Sequence, residues 1–273
     1  MKILLLIILV LVILGLPYRT EITRYLLHTD KIQDPVRFIV LSDLHNQPYG
    51  KDMHKLTEII RREKPDAILM PGDMRGDYRD NHALRLFELL KDYPVYYVTG
   101  NHEENHTRKN DFLRDIEARG GIILDHTSRI FQKGNTCIEI GGIACQEETT
   151  PYTVQEINDT FTSGYYRILL SHLPHWMKIY GDTSCDLVVS GHAHGGQFRI
   201  PFTKIGVAAP QQGFFPKMID GIRRVNHTYI LVSRGLVRHY HGIPRLYNDP
   251  EIIILDLLPE EKEIPVMKGT SEG

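Results

Sequence analysis

The chain has 273 residues, 42% of them hydrophobic and 24% charged, a balance that is ordinary for a folded globular protein with a sizeable core. Its formal net charge of −2 gives no reason to expect a nucleic-acid partner, because such partners favour a basic face. The three cysteines have no CxxC spacing and leave one over in any pairing, so they indicate neither a disulfide framework nor a zinc site.

A strongly apolar segment opens the chain. It runs without interruption from Ile3 to Leu16, with Lys2 before it and Arg19 after it. Its length is ~21–24 Å as a helix, shorter than the ~30 Å hydrocarbon core of a bilayer. That length suits a signal peptide or a short signal anchor, but no small-x-small cleavage site follows it. We therefore predict an uncleaved single-pass anchor within residues 1–25, at the cell membrane, with the remaining domain on the extracytoplasmic side.

From residue 36 onward, short apolar runs alternate with amphipathic ones. This alternation predicts strands at 36–42, 66–72 and 95–100 and helices at 51–64, 82–91 and 108–121. Residues 122–145 are typical of a meander of short strands, and later strands are predicted at 166–172, 186–192, 228–235 and 251–258. No repeat or linker divides residues 30–258. We predict a single α/β domain there, followed by a polar tail at 259–273.

Five loops follow predicted strands and carry side chains that bind metal ions. They are SDLH (42–45), PGDMRGD (71–77), TGNHEE (99–104), SHLP (171–174) and SGHAHGG (190–196). Sites in open α/β sheets form outside the carboxyl ends of the strands, so we expect these loops to meet in one crevice. Their carboxylate, amide and imidazole groups, without thiolates, suit Mn²⁺, Fe or Zn²⁺.

Seven side chains in these loops are candidate metal ligands: Asp43, His45, Asp73, Asn101, His172, His192 and His194. Seven are too many for one tetrahedral ion, whereas two ions that share a carboxylate use them naturally. In an extended segment, residues i and i+2 lie about 6–7 Å apart on one side, so the last two histidines can each serve one ion of a pair ~3.5–4 Å apart. Asp-x-His, Gly-Asp or SHLP alone is more often a turn or a helix start, whereas GNHE and GHAHGG are rarer and each favours a functional role. Together they predict a dinuclear site.

The motifs Asp-x-His, Gly-Asp, Gly-Asn-His-Glu, a single His and Gly-His-x-His, in this order, resemble the calcineurin-like metallophosphoesterase superfamily. The resemblance covers roughly residues 36–258. The segments RFIVLSDLHN, GHAHGGQFRIP and GIPRLYNDPEIIILDL are particularly similar to the membrane-associated bacterial YkuE/YaeI-type phosphoesterases. This resemblance implies an α/β fold in which a two-sheet β-sandwich is flanked by helices.

The resemblance also implies roles for individual residues. One ion is expected on Asp43, His45, Asp73 and His194, and the other on Asp73, Asn101, His172 and His192. His102 matches the family's catalytic histidine. The family's second motif commonly ends in an Asp that orients this histidine, but Gly76 stands at that position here. Asp77 and Glu103 are then alternative carboxylates for the same task.

The implied reaction is hydrolysis of a phosphodiester, phosphomonoester or pyrophosphate. A hydroxide that bridges two divalent ions (Mn²⁺, Fe²⁺/³⁺ or Zn²⁺) attacks, and His102 protonates the leaving oxygen. A membrane anchor makes lipid-linked and cell-envelope esters candidate substrates, and Arg75, Arg199 or Arg234 are candidates for attracting the anion. The alternative is a non-catalytic scaffold of the same fold that holds structural ions. A nuclease would need a basic groove, and the sequence indicates none.

Overall fold

Two six-stranded mixed sheets form the framework of the protein. The computed structural model describes residues 1–76, 81–146, 150–240 and 242–260. The first sheet has the spatial order β1 (Glu21–Thr29), β16 (Glu251–Pro259), β2 (Val36–Val40), β3 (Ala67–Pro71), β4 (Val95–Val98) and β5 (Gly121–Ile123). The second has the order β12 (Gly221–Val225), β13 (Thr228–Val232), β9 (Leu187–Ser190), β8 (Tyr166–Leu170), β7 (Thr136–Gly142) and β6 (Thr127–Lys133).

Helices and two small hairpins complete the described part of the chain. The helices are α1 (Lys2–Gly15), α2 (His54–Glu63), α3 (Asn81–Leu89), α4 (Asn101–Glu104), α5 (Lys109–Glu117), α6 (Val154–Asn158) and α7 (Met177–Asp182). Strands β10 (Ala208–Ala209) and β11 (Gly213–Phe214) form one hairpin. Strands β14 (His239–Tyr240) and β15 (Ile243–Pro244) form the other.

The core lies in three layers around the sheets. The middle layer, which includes Phe38, Ile140 and Leu187, draws on strands of both sheets. Helices α2, α3 and α5 bury apolar side chains against the outer face of the first sheet, and α6 and α7 cover the second. Strands covered on both faces read as continuous apolar runs, as β3, β4 and β9 do. The predicted α/β sandwich flanked by helices is confirmed.

Two parts of the sheets differ from the sequence prediction. The predicted meander at 122–145 is wrong, because β5 pairs in parallel with β4 in the first sheet while β6 and β7 form a hairpin in the second. Strand β1 was not predicted. It is a largely exposed edge strand that pairs in parallel with β16, so it lacks the buried apolar pattern by which strands are recognised.

The apolar N-terminal run forms helix α1, which is 14 residues long and followed closely by β1. Among the described residues, none of the helices combines the length and the apolar character that crossing a membrane requires. The predicted anchor is therefore not supported as a membrane-spanning helix. The C-terminal end of α1 is attached to the rest of the fold by Tyr247. The backbone N–H of Tyr247 donates to Gly15 O and the Tyr247 hydroxyl donates to Leu11 O, each at 2.7 Å.

Candidate metal centre

The seven predicted ligands meet where strands of both sheets end. The first sheet contributes loops after β2, β3 and β4, and the second contributes loops after β8 and β9. One compact group of donor atoms comes from Asp43, His45 and His194, and another from Asp73, His172 and His192. The amide oxygen of Asn101 lies 3.2 Å from His172 Nε2, so all seven are brought together.

Distances within the two groups match the spacing of ligands around an ion. In the first group, His194 Nε2 lies 3.3 Å from Asp43 Oδ1 and 3.2 Å from His45 Nε2. In the second, His172 Nε2 lies 3.0 Å from Asp73 Oδ2 and 3.2 Å from His192 Nδ1. Ligands that each lie ~2.0–2.2 Å from one divalent ion must approach one another this closely.

Asp73 lies between the two groups. Its Oδ2 lies 3.0 Å from His172 Nε2 and 3.8 Å from His45 Nε2. The residue is buried, and its backbone N–H and side chain are fixed by neighbouring loops. A carboxylate in this position can bind an ion on either side.

The charges of the site favour cation binding. Burial lowers the pKa of His45 to about 3 and the pKa of His192 to about 4, which favours the neutral imidazole that binds metals. Burial alone would raise the pKa of Asp43 and Asp73, yet neighbouring histidines hold both carboxyl groups below their usual range. At His172 burial also lowers the pKa, but the charge of Asp73 outweighs it and raises the pKa to about 9, so an ion bound there would displace a proton. Buried ionised carboxylates and imidazoles, without thiolates, form a donor set that fits Mn²⁺, Fe or Zn²⁺.

The backbone at the site is strained. Five of the seven predicted ligands have left-handed φ angles: Asp43 (50°), His45 (45°), Asp73 (54°), His192 (68°) and His194 (45°). Non-glycine residues rarely adopt this region, and each instance costs ~1–3 kcal/mol unless its surroundings hold it in place. Such strain concentrates at functional sites, and here it aims the side chains at a common centre.

The Gly-His-x-His segment is a tight turn. Its central Ala193 is in the right-handed helical region (φ −78°, ψ −8°) between two left-handed histidines, so the predicted extended geometry is wrong. His192 and His194 nevertheless join different donor groups, as predicted. The turn requires Gly191, because a Cβ atom there would lie 2.5 Å from Asp43 Oδ2.

His102 shares a third set of close donor atoms with His45 and Asp73, and it contacts a residue that the sequence did not indicate. Its backbone N–H donates to Asp73 Oδ1 at 2.9 Å, and its Nε2 lies 2.8 Å from Tyr240 Oη. The Tyr240 ring also packs at a tilt against His45 and edge-on against His194, with centroids 5.2 and 5.1 Å away. Tyr240 is the last residue of the two-residue strand β14, which carries no metal-binding motif. Its position next to a histidine was the only signal in the sequence that could have pointed to the site.

Glu103 holds loops together. This buried carboxylate accepts hydrogen bonds from the backbone N–H groups of Asp73, Arg75 and Gly100, at 2.7–2.9 Å. Burial, reinforced by the charge of Asp73, raises its pKa. Glu103 therefore fixes the β3 loop against the β4 loop. Asp77, the other carboxylate considered for orienting His102, lies outside the described residues.

We expect Glu103→Gln to destabilise the fold. An amide offers one oxygen where the carboxylate offers two, so buried N–H groups lose an acceptor, at a cost of about 2–4 kcal/mol. Thermal unfolding of the full chain measures this. Glu104→Gln is the matched control, because Glu104 is only partly buried and its ion pair with Lys109 is worth about 1 kcal/mol or less. Equal melting temperatures for the two variants would contradict the role given to Glu103.

Two of the arginines predicted to attract an anion are engaged elsewhere. Arg199 Nη2 pairs with Asp220 at 2.8 Å, and Arg234 pairs with Glu251 and Glu21 at 3.1 and 2.9 Å. Both guanidinium groups are buried, so that prediction is wrong for them. Arg75 is also buried and lies over the Phe112 ring.

Comparison with known proteins agrees with this geometry. The sequence model of the calcineurin-like phosphoesterases matches residues 36–196, which is more than half of the chain. A metallophosphoesterase of Caenorhabditis elegans is 28% identical over 241 residues (81% of this chain, 48% of the relative). Phosphodiesterase YaeI of Escherichia coli is 26% identical over 235 residues (82% and 83%), and YkuE of Bacillus subtilis 25% over 259 residues (88% and 86%).

The resemblance stated from the five motifs is thus confirmed. The chain spans less than two thirds of the length of several of its curated relatives. The matched region contains the loops after β2, β3, β4, β8 and β9, which carry all seven predicted ligands and His102. This chain belongs to the calcineurin-like phosphoesterase family.

Proposed function

We propose that the protein hydrolyses a phosphate ester at a centre of two divalent ions. The observation that carries this proposal is the position of Asp73, whose Oδ2 lies near imidazoles of both donor groups. Family membership and the phosphodiesterase name of the YaeI relative support a phosphoester substrate.

The donor groups suggest how the ions would be held. One would bind to Asp43, His45, Asp73 and His194, and the other to Asp73, Asn101, His172 and His192. When bound, such ions supply Lewis-acid polarisation of a phosphoryl oxygen and acidify the attacking water. Mn²⁺, Fe and Zn²⁺ all suit these ligands.

His102 is proposed as the general acid for the leaving oxygen. Its backbone is fixed by Asp73 Oδ1, which places the imidazole at the edge of the centre. The leaving oxygen of an ester would replace the Tyr240 hydroxyl as the partner of Nε2, where imidazole can deliver a proton. The contact between His102 and Tyr240 beside the donor groups favours an enzyme, because a scaffold that only holds ions needs no general acid next to them.

A polar cleft next to the centre is the proposed substrate site. It encloses about 780 Å³ and is lined by residues that include Asn101, Lys109, His126 and Tyr152. That volume suits a small phosphodiester or the head of a larger ester, since ligand sites typically enclose ~300–1,000 Å³. We propose a phosphodiester, phosphomonoester or pyrophosphate as substrate, with lipid-linked and cell-envelope esters among the candidate classes.

The test is hydrolysis of a panel of phosphate esters by the full chain. Mono- and diesters of nitrophenol, nucleotides, a pyrophosphate and a phospholipid would each be offered with Mn²⁺, Fe²⁺, Zn²⁺ or a chelator. We expect turnover with at least one metal and its loss with the chelator. Metal-loaded protein that hydrolyses none of these esters would instead identify a scaffold.

A further inference from the structure

Tyr240 lies beside the proposed metal centre, although it belongs to none of the metal-binding motifs. Its ring packs against three imidazoles, with centroid distances of 5.1–5.6 Å: those of His45, His102 and His194. The tyrosine is only half buried, and these three neighbours are polar rings rather than apolar core side chains. Packing of an apolar core therefore does not explain why a tyrosine stands at this position.

The backbone next to Tyr240 is held by Gln47, in the loop after β2. Gln47 Nε2 donates a hydrogen bond to His239 O at 2.7 Å, and Gln47 Oε1 accepts one from the backbone N–H of Arg238 at 2.8 Å. These bonds fix the two residues that precede Tyr240. Its half-buried side chain can still turn about its own χ angles, so the hydroxyl can shift while the hairpin stays in place.

The Tyr240 hydroxyl occupies the place that a substrate oxygen needs. It lies 2.8 Å from His102 Nε2, and an oxygen that takes a proton from this nitrogen must approach it to ~2.6–3.2 Å. The leaving oxygen of an ester therefore displaces the hydroxyl from Nε2 and comes to lie directly beside it. A phenol hydroxyl is a donor as well as an acceptor, so it can donate to the oxygen that displaced it.

We propose that Tyr240 is a second catalytic residue, which donates a hydrogen bond to the leaving oxygen. As the bond from phosphorus to this oxygen breaks, its electron pair stays on the oxygen and the proton of His102 Nε2 moves onto it. The tyrosine keeps its own proton and stabilises the negative charge that develops there. The inference rests on the proposed hydrolysis. Two donors at one leaving oxygen suit esters of aliphatic alcohols, because alkoxides need the most stabilisation.

The test is the Tyr240→Phe variant of the full chain, which loses the hydroxyl and keeps the ring. Its kcat would be compared with that of the wild type on phosphodiesters with nitrophenyl, phenyl and alkyl leaving groups. We expect a loss of about 10–100-fold for phenyl and alkyl esters, the range for one hydrogen bond to a charged oxygen. Nitrophenyl esters should lose little, and metal content should not change.

Tyr49→Phe is the matched control. The buried Tyr49 hydroxyl donates to Leu236 O, in the segment that leads to β14, so this variant also removes a tyrosine hydroxyl that supports the same segment. Any effect of Tyr49→Phe on kcat should be equal for all leaving groups. An equally flat profile in Tyr240→Phe would make Tyr240 a structural residue and overturn the inference.

A second measurement does not depend on turnover. In metal-free full chain labelled with ¹⁵N-histidine, the Nε2 resonance of His102, assigned by its loss in His102→Ala, should shift in Tyr240→Phe and stay in place in Tyr49→Phe. An unshifted resonance in Tyr240→Phe would show that the contact is absent and overturn the inference. If the resonance shifts but the metal-loaded wild type hydrolyses none of the esters, the proposed function fails and the inference falls with it. Wild-type turnover with a flat Tyr240→Phe profile refutes the inference alone.

Discussion

Replacement of Asp73 with Asn should remove most metal binding and lower turnover by about 10³-fold or more. Loss of a residue that only supports a ligand typically costs ~10–100-fold, and a ligand shared by two ions should cost more. The substitution keeps the shape of the side chain. In the wild type the His102 N–H group donates to Asp73 Oδ1, and the amide oxygen of the variant can still accept this hydrogen bond. The loss therefore reports the charge of the carboxylate rather than a collapse of the loop.

Asp43→Asn is the matched variant for this experiment. Asp43 is equally buried, and its carboxylate lies in the donor group of His45 and His194, although it also accepts a hydrogen bond from the backbone N–H of His192 at 2.9 Å. We expect Asp43→Asn to weaken one ion and Asp73→Asn to weaken both. Metal content and kcat should be measured for each variant after the same loading. If Asp73→Asn retains as much metal as Asp43→Asn, the bridging position assigned to Asp73 is wrong.

His102→Ala should keep both ions and lose about 10²–10⁴-fold in turnover, the range for a general acid. That loss corresponds to roughly 3–5 kcal/mol of transition-state stabilisation. It should shrink for esters of nitrophenol, since a good leaving group needs little protonation. Measuring kcat across leaving groups of increasing pKa therefore separates an acid from a residue that only supports the fold.

His192→Ala supplies the contrast. His192 lies within the group of Asp73 and His172, so its loss should lower metal content and turnover for every substrate alike. A steep dependence on the leaving group in His102→Ala, and a flat one in His192→Ala, is the expected pair of results. Comparable metal loss in both variants would make His102 a ligand or a structural residue, contrary to its proposed role.

Local patterns in the sequence predicted most strands and the loops that follow them. Buried strands such as β3 and β9 are continuous apolar runs, and metal-binding side chains directly after them mark the edge where the loops meet. What escaped prediction depends on pairing between distant segments. The place of β5 in the first sheet and the pairing of β1 with β16 leave no trace in local periodicity.

The same limit applies to the metal centre. Tyr240 reaches His102 across 138 residues of sequence, and its short strand carries no pattern of its own. Glu103 acts through backbone N–H groups, which every residue possesses, so its partners are invisible in the sequence. The left-handed turn at His192 and His194 is also hidden, because non-glycine residues give no warning of such strain.

Metal stoichiometry tests the central claim most directly. The full chain would be loaded with Mn²⁺ or Zn²⁺, freed of unbound ions and subjected to elemental analysis against protein concentration. The position of Asp73 between two donor groups predicts about two ions per chain in the wild type, the number that a shared carboxylate serves. A firm stoichiometry of one ion or none would contradict the dinuclear centre.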